Sequence, residues 1–380
     1  MHVDDCEVVG NDTDIKCFKK ALEREFSAVK SQEWKFKHCG IDYAQYEDCS
    51  TISHSQENFV EAMDYYHLDK ERQKNLKSLL TTTEITCFRS IMGGMQWLER
   101  TRADHAAETS QLQTRRNEPT VADLKQANSL LRRVKDSKES KLVFRSQEDR
   151  PKRILVMADA SLNSVKKEEK DVKRTQAGWL ILLTYDTDSL DTDNMHILNW
   201  VTRKSTRVTK STLASESVSR VAAVEDAIRI AGWLDEMYSV EEGTKSMIVK
   251  QETGGYCFPV DVATDCNSLH EALLSPMDPR PSDPGNTLWL KWLREIQTAG
   301  ITSKAIWVST VDMLGDSLTK VMDSDILLKV FRTGTFCIIY ASLCGPCLVD
   351  AFKGRPPTKR EKYEQAYWLV ENAMLINFHY

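Results

Sequence analysis

Four acidic residues in the second half of the chain have the types and positions that could bind metal ions. Asp159 ends the apolar run 154–157, where a charge costs several kcal/mol unless a partner compensates it. Asp265 ends a second apolar stretch, and Glu216 and Asp316 each open a predicted helix. Carboxylate oxygens suit hard cations such as Mg²⁺. The pattern therefore predicts a divalent metal site, although each acid alone is also typical of an ordinary helix start or turn.

A cluster of cations lies directly before Glu216. It occupies eight residues without an acid and consists of Arg203, Lys204, Arg207 and Lys210. A strand–turn–strand with this charge, beside a metal site, favours contacts with a nucleic-acid phosphate backbone. A solvated hairpin is the alternative. A second basic stretch, residues 115–153, holds 12 Lys and Arg against 6 Asp and Glu and is predicted to be a helix followed by a linker.

Composition limits the class of protein. At 380 residues the chain has the length of two or three domains, and 41% apolar with 28% charged residues indicates a globular fold. The net charge of −5 excludes a uniformly basic nucleic-acid binder, so that any polyanion site must be local. Ten cysteines without a repeated spacing and an acidic N-terminus predict a reducing, intracellular location, in cytoplasm or nucleus.

Three other features have structural interpretations. The uncharged run 333–349 only touches the lower limit for a membrane span, and we interpret it as a buried segment, with no membrane as a partner. The Cys344–Cys347 pair has no βαβ context ahead of it, which argues against a redox motif. Trp289 and Trp292 lie on one helix and are predicted to belong to the core rather than to a stacking platform.

Hydrophobic periodicity predicts the elements that position the four acids. Apolar runs predict five strands, at 154–160, 176–184, 197–202, 259–264 and 302–308. A long helix starts near Ser215, and further helices cover 288–299 and about 312–332. Three strands in succession followed by alternating helices and strands predict an α/β (α+β) domain with a mixed sheet. Upstream, residues 3–9 are expected to form strand, turn and strand, 34–43 and the region of Ile52 short strands, and 59–134 mostly helices.

Collinear motifs resemble the C-terminal part of a copia-type LTR retrotransposon Pol polyprotein. Five segments resemble its ribonuclease H domain: DASLNS (159–164), QAGW (176–179), KSTLASES (210–217), TDCNSL (264–269) and DMLGDSLTK (312–320). Upstream, HVDD (2–5) resembles the Asp-Asp motif of reverse transcriptase and FKHCGIDY (36–43) its primer grip. SHSQENFVEAM (53–63) and FRSIMGGMQWLERTRAD (88–104) resemble the stretches that follow. The resemblance covers His2 to about Phe331.

The resemblance implies a fold, a reaction and a site. The fold is an RNase H-like mixed five-stranded sheet with flanking helices, preceded by a truncated reverse transcriptase palm and thumb. The reaction is hydrolysis of the RNA strand of an RNA–DNA hybrid, with two Mg²⁺ or Mn²⁺ ions held by Asp159, Glu216, Asp265 and Asp316. Asp312 is the alternative to Asp316. Hybrid recognition would rest on shape and 2′-OH contacts.

The implied domains are a palm remnant at 1–63, a helical thumb or connection with a basic linker at 64–150, the ribonuclease H-like domain at 151–332, and an extension of unknown role at 333–380. The sequence departs from the family in lacking a His before the last helix and in beginning at the Asp-Asp motif. Asp4 and Asp5 are therefore interpreted as a remnant polymerase motif without polymerase activity, unless a partner supplies the missing half.

Two alternatives to an enzyme remain at this level. The chain could be a catalytically dead remnant that binds nucleic acid, or a non-functional relic of a retroelement. Retention of all four acids favours a hybrid ribonuclease, whereas the incomplete polymerase favours decay. Closeness of the four carboxylates in a structure is the observation that separates these alternatives.

Overall fold

The structure is a computed structural model that describes residues 7–27, 29–162, 175–185, 191–192, 195–238, 249–275, 277, 281, 283–322, 325–337 and 341–342. The chain folds as two compact units. The first unit comprises 1–149, 194–197 and 320–335, and the second comprises 150–193, 198–319 and 336–380. Asp4, Asp5, Cys344 and Cys347 lie outside the described residues.

The first unit contains helices and a small antiparallel sheet. Its helices are α1 Asp12–Phe26, α2 Glu57–Ala62, α3 Lys70–Lys74, α4 Thr82–Leu98, α5 Ala106–Gln113 and α6 Val121–Asp136. Its strands are β1 Lys35–His38, β2 Ile41–Gln45, β3 Thr51–Ser55 and β4 Leu142–Arg145, paired antiparallel in the order β1-β2-β3-β4. Helices α4 and α6 begin with capping boxes, formed by Thr81 with Glu84 and by Thr120 with Asp123. In each pair, the side chain of one residue accepts a hydrogen bond from the backbone N–H of the other. The core lies where α4 packs on α6, around Phe88, Met95 and Leu124.

The second unit is built on a six-stranded mixed sheet. The strands of this part of the chain are β5 Lys152–Ser161, β6 Gln176–Tyr185, β7 Asp191–Thr192, β8 His196–Lys204, β9 Val260–Thr264, β10 Ala305–Val308, β11 Phe336–Cys337 and β12 Ala341–Ser342. The sheet has the order β12-β10-β9-β5-β6-β8, and β7 pairs with β11 separately. Strand β6 runs antiparallel to β5, β9 and β10 run parallel to it, and β12 runs antiparallel to β10.

Helices flank this sheet. They are α7 Thr212–Tyr238, α8 Asn267–Leu274, α9 Thr287–Thr298 and α10 Asp316–Thr319. Two 3₁₀ turns lie at Pro284–Asn286 and Thr310–Asp312. A further helix, α11 Asp325–Thr333, belongs to the first unit. Both α7 and α10 contact β5 and β6, and α9 packs on α7. Alternate residues of β5, such as Val156 and Ala158, join α7 in one apolar cluster. The long apolar strands β5 and β6 are therefore covered on both faces.

Gly178 in β6 makes the contact with α10 possible. A Cβ atom at this position would come within 2.7 Å of Leu318 Cβ and 2.8 Å of Thr319 Cγ2, which is closer than side chains pack. The absence of a side chain therefore lets α10 lie directly against β6, and this explains why Gly occurs inside a strand here.

The predicted α/β fold with a mixed five-stranded sheet and flanking helices is confirmed: all five strands form, and β12 adds a short edge strand. The predicted short strands near 34–43 and Ile52 and the helical region after them are also present. Within the described residues, no helix combines the length and apolar character that crossing a bilayer requires.

Two predictions of elements were wrong. The helix expected over 312–332 is broken into a 3₁₀ turn, α10 and α11. Residues Asp316–Thr319 pack on β6 in the second unit, whereas the chain from Lys320 belongs to the first unit. The linker expected after the basic helix contains β4, which pairs with β3. Of the expected strand–turn–strand at 3–9, only Glu7–Val9 is described, and it has no regular structure.

Candidate active site

Asp159 and Asp265 lie at the same edge of the sheet. The parallel register of β5 with β9 pairs Met157 with Ala263; Asp159 follows two residues later on β5, and Asp265 comes directly after the end of β9. Asp159 is 2% exposed, and Asp265 is half-buried directly after β9. Because successive residues of a strand point to opposite faces, Asp159 projects from the face opposite to its neighbour Ala158, which belongs to the α7 cluster.

Asp316 reaches this edge through α10. The Thr319 hydroxyl donates a hydrogen bond to Asp159 Oδ2 and lies 3.3 Å from the Asp316 carbonyl oxygen. Gly315 allows the approach, since a Cβ there would lie 3.3 Å from Asp159 Cβ and 3.4 Å from the Met157 carbonyl oxygen. Asp316 and its alternative Asp312 are both buried, at 6% and 4% exposure. Thr319 and Gly315 were not singled out as site residues in the sequence, although both lie within the DMLGDSLTK motif.

Glu216 comes to the same strand end from α7. It is 4% exposed, and three residues later the Ser219 hydroxyl donates a 2.8 Å hydrogen bond to the Asp159 carbonyl oxygen. A hydroxyl network holds the start of the helix: Thr175 Oγ1 lies 2.7 Å from Thr209 Oγ1 and 3.0 Å from Ser215 Oγ. The Ser- and Thr-rich motif before Glu216 therefore fixes the first turn of α7 next to β5 and β6.

A buried guanidinium lies beside these acids. Arg220, one turn after Glu216, donates from Nη2 to the Val262 carbonyl oxygen at 3.0 Å, three residues before Asp265. Burial lowers the pKa of Arg220 to about 10, against the opposing effects of Cys266 and Glu216. Burial also raises the pKa of the Cys266 thiol, and the charges of Glu216 and Asp265 raise it further. Sequence patterns did not identify Arg220, because the position adjoins the apolar stripe of α7.

The fit of this edge to a divalent metal is incomplete. The donors are of the right chemical kind, since Mg²⁺ and Mn²⁺ prefer carboxylate oxygens. However, among the described residues, which include all four acids, no three His, Cys, Asp or Glu side chains form a group that could hold an ion. Asp159, Glu216, Asp265 and Asp316 therefore remain a predicted set of metal ligands.

The predicted phosphate-binding cations lie at the end of β8 and in the segment that leads to α7. Arg203, Arg207 and Lys210 are exposed, and Lys204 is half-buried. The Arg203 guanidinium lies 4.9 Å from the ring centroid of Trp179, and that of Arg207 lies 4.2 Å from that of Trp289. No acidic side chain among the described residues forms an ion pair with these four, so they remain available to an anionic ligand.

A third carboxylate of the sheet has a structural role. Asp261, in the middle of β9, pairs through Oδ2 with Arg153 Nη1 at 3.1 Å and accepts a 3.0 Å hydrogen bond from the Lys304 amide. Both members of the pair are nearly inaccessible. Asp261 is therefore part of the packing between β5, β9 and the start of β10 rather than of the acidic edge.

No protein-family model matches the chain, and no curated protein matches it. Among solved structures, the RNase H1 of the archaeon Halobacterium salinarum is similar at 13% identity and a TM-score of 0.28, over 44% of this chain and 93% of that one. LC11-RNase H1, solved in complex with an RNA/DNA hybrid, is similar at 10% identity and a TM-score of 0.28, over 44% of this chain and 93% of that one. The prototype foamy virus protease-reverse transcriptase is similar at 15% identity and a TM-score of 0.23, over 40% of this chain and 17% of that one. These values do not establish a shared family or activity.

Proposed function

We propose that the second unit is a ribonuclease H-type nuclease that hydrolyses the RNA strand of RNA–DNA hybrids and requires Mg²⁺ or Mn²⁺. The observation that supports the proposal is the packing around Asp159 near the end of β5. The Ser219 hydroxyl, three residues after Glu216 on α7, and the Thr319 hydroxyl, three residues after Asp316 on α10, both donate hydrogen bonds to Asp159, and Asp265 follows the neighbouring strand β9 directly. Convergence of several elements on one strand end is typical of active sites.

The cations before α7 supply the second part of the argument. A nuclease for hybrids must hold two phosphate backbones, and contacts of this kind depend on Lys and Arg side chains rather than on base edges. Arg203, Arg207 and Lys210 are exposed and have no acidic partner among the described residues. They supply positive charge in a chain whose overall charge is negative.

The metal requirement implies a rearrangement of the edge. The four acids, all within the described residues, do not form an ion-binding group as they lie, and Asp159 accepts a hydrogen bond from Thr319. Ion binding would need the side chains of at least three acids to turn toward a common point. We therefore expect the free protein to bind Mg²⁺ or Mn²⁺ weakly, and we expect added nucleic acid to increase that affinity.

The wider assignment follows from the motif order. We propose that the chain is related to a copia-type Pol polyprotein, with the first unit related to its reverse transcriptase. An RNA–DNA hybrid is then the expected partner. Asp4 and Asp5 are assigned to the polymerase motif on sequence alone.

A second candidate function has one observation in its favour. Because no three of the described acids could hold an ion together, the sheet could bind hybrids or RNA without cleaving them. In that case the cations before α7 would be the functional residues, and the acidic edge would be inert.

One experiment separates these candidates. The full chain is incubated with an RNA–DNA hybrid labelled on the RNA strand, in Mg²⁺, Mn²⁺ or EDTA, with a DNA duplex and single-stranded RNA as controls. RNA fragments that form from the hybrid only in the presence of metal are the expected result. Hybrid binding without fragments would support the non-catalytic binder, and absence of both would support a relic.

A further inference from the structure

The two arginines of the cation cluster are stacked on tryptophan rings that come from other elements. Arg207 lies 4.2 Å from the centroid of Trp289 on α9, 82 positions further along the chain, and Arg203 lies 4.9 Å from that of Trp179 on β6. The two lysines of the cluster, Lys204 and Lys210, have no such contact with any ring in the part of the chain that the structure describes. Arginine and lysine in this cluster are therefore held differently.

Both rings are fixed by the core of the second unit. Trp179 is 1% exposed, and its Nε1 donates a 2.9 Å hydrogen bond to Asp226 Oδ2 on α7. Trp289 packs against the same apolar cluster next to Leu290 and Leu293, and is half-buried. Each indole therefore offers a rigid surface on which a guanidinium can lie.

A stacked guanidinium is suited to a phosphate. Stacking occupies the face of the group, whereas its N–H donors point outward in the plane, in the fork that matches two phosphate oxygens. Because the ring already restricts the side chain, less conformational entropy is lost when the phosphate binds. An exposed lysine lacks both advantages.

We propose that Trp289 and Trp179 are positioning residues that hold Arg207 and Arg203 ready to bind nucleic-acid phosphates. The inference rests on the proposed function, since it concerns how the hybrid is bound. It gives the tryptophans a role beyond the core packing that their sequence pattern predicts.

The test is a double-mutant cycle on hybrid binding by the full chain. Fluorescence anisotropy with a labelled RNA–DNA hybrid in EDTA measures affinity without cleavage, at several salt concentrations. Trp289→Leu should weaken binding about 3- to 10-fold, and Arg207→Ala should weaken it and reduce the slope of log K against log salt by about 0.9. In the double variant the two losses should not add, because the ring acts only through the arginine.

Three controls keep the test specific. Trp233→Leu removes a tryptophan that is 60% exposed on α7 and makes no cation–π contact within the described residues, and should leave affinity unchanged. Trp289→Phe keeps an aromatic face and should restore most of the affinity. In the wild type, the Arg207 Nε–H proton should show a ring-current NMR shift that Trp289→Leu abolishes.

Additive losses in the double variant, or an equal loss in Trp233→Leu, would overturn the inference and leave the proposed function intact. Absence of hybrid binding by the wild type at low salt would instead contradict the proposed function.

Discussion

At the scale of single residues, equal side chains have different roles because their surroundings differ. Asp261 pairs with the Arg153 guanidinium and accepts a hydrogen bond from the Lys304 amide, whereas Asp159 accepts a hydrogen bond from the neutral Thr319 hydroxyl. Removing one member of a buried ion pair is strongly destabilising because it leaves an uncompensated buried charge, whereas weakening a hydrogen bond to a neutral hydroxyl costs less.

This difference predicts unequal effects on stability. Asp261→Asn should lower the free energy of unfolding by about 3–5 kcal/mol, because it leaves the Arg153 charge buried without its counterion. Asp159→Asn should change it by less than about 1 kcal/mol, because the amide oxygen has the same shape and can still accept the hydrogen bond from Thr319. Both changes in the free energy of unfolding can be measured by denaturant titration, with hydrogen exchange of β5 and β9 amides as the readout. Equal losses in the two variants would contradict the distinction between structural and functional acids.

His105 predicts a pH dependence in the first unit. It is 3% exposed before α5, with Nδ1 3.2 Å from Thr109 Oγ1, and burial lowers its pKa to about 4; Asp104 opposes this shift and Arg102 adds to it. An unfolded histidine takes up its proton near pH 6.5, so the unfolded state binds more protons below that value. Stability of the first unit should fall as pH drops from about 6.5 to 4, by up to about 1.4 kcal/mol per pH unit.

The matched variant is His105→Gln, which keeps a polar group beside Thr109 but does not titrate. Denaturant midpoints of the first unit at pH 7, 6, 5 and 4 should decline less steeply in this variant than in the wild type. A decline of the same slope in both would show that His105 is not the group responsible.

At the scale of elements, the acidic edge depends on contacts that no local pattern encodes. The five strands and α7 were predictable, because long apolar runs and a helical stripe persist over many residues. Strand β4 was not predictable, because it has only four residues and forms by pairing with β3, which is distant in the chain. The position of α10 was also hidden, because its packing depends on close approaches at Gly178 and Gly315 to distant parts of the chain.

Gly178 provides the test at this scale. Gly178→Ala should destabilise the second unit by about 1–3 kcal/mol and displace α10 from β6, since the new Cβ has backbone and Cβ atoms of Leu318 for neighbours. Gly93→Ala on the exposed side of α4 is the control, because its Cβ would meet nothing within 4 Å, and it should stabilise the first unit by up to about 1 kcal/mol. Unfolding followed by hydrogen exchange reports each unit. An unchanged α10 in Gly178→Ala would refute the close packing.

At the scale of the whole molecule, sequence and structure agree on the mixed five-stranded sheet with flanking helices. That the four acids form one site remains a prediction, since no three acidic side chains among the described residues form a group that could hold an ion. The order of motifs predicted which strands and helices would carry Asp159, Glu216, Asp265 and Asp316. It could not predict the hydrogen bond of buried Arg220 to the Val262 carbonyl oxygen. Nor could it predict that Arg203 and Arg207 stack on Trp179 and Trp289, because these contacts join residues far apart in the chain.

The central claim is that the acidic edge cleaves RNA in hybrids, and two glutamates of α7 test it most directly. Glu216 is buried at the edge, whereas Glu225 is exposed on the same helix. The measurement is the rate of RNA-strand cleavage in a hybrid, with saturating Mg²⁺ or Mn²⁺, for the full chain, Glu216→Gln and Glu225→Gln. The account predicts a loss of at least ~100-fold in Glu216→Gln, with hybrid affinity retained, and wild-type rates in Glu225→Gln. Equal rates in the two variants, or no cleavage by the wild type, would contradict it.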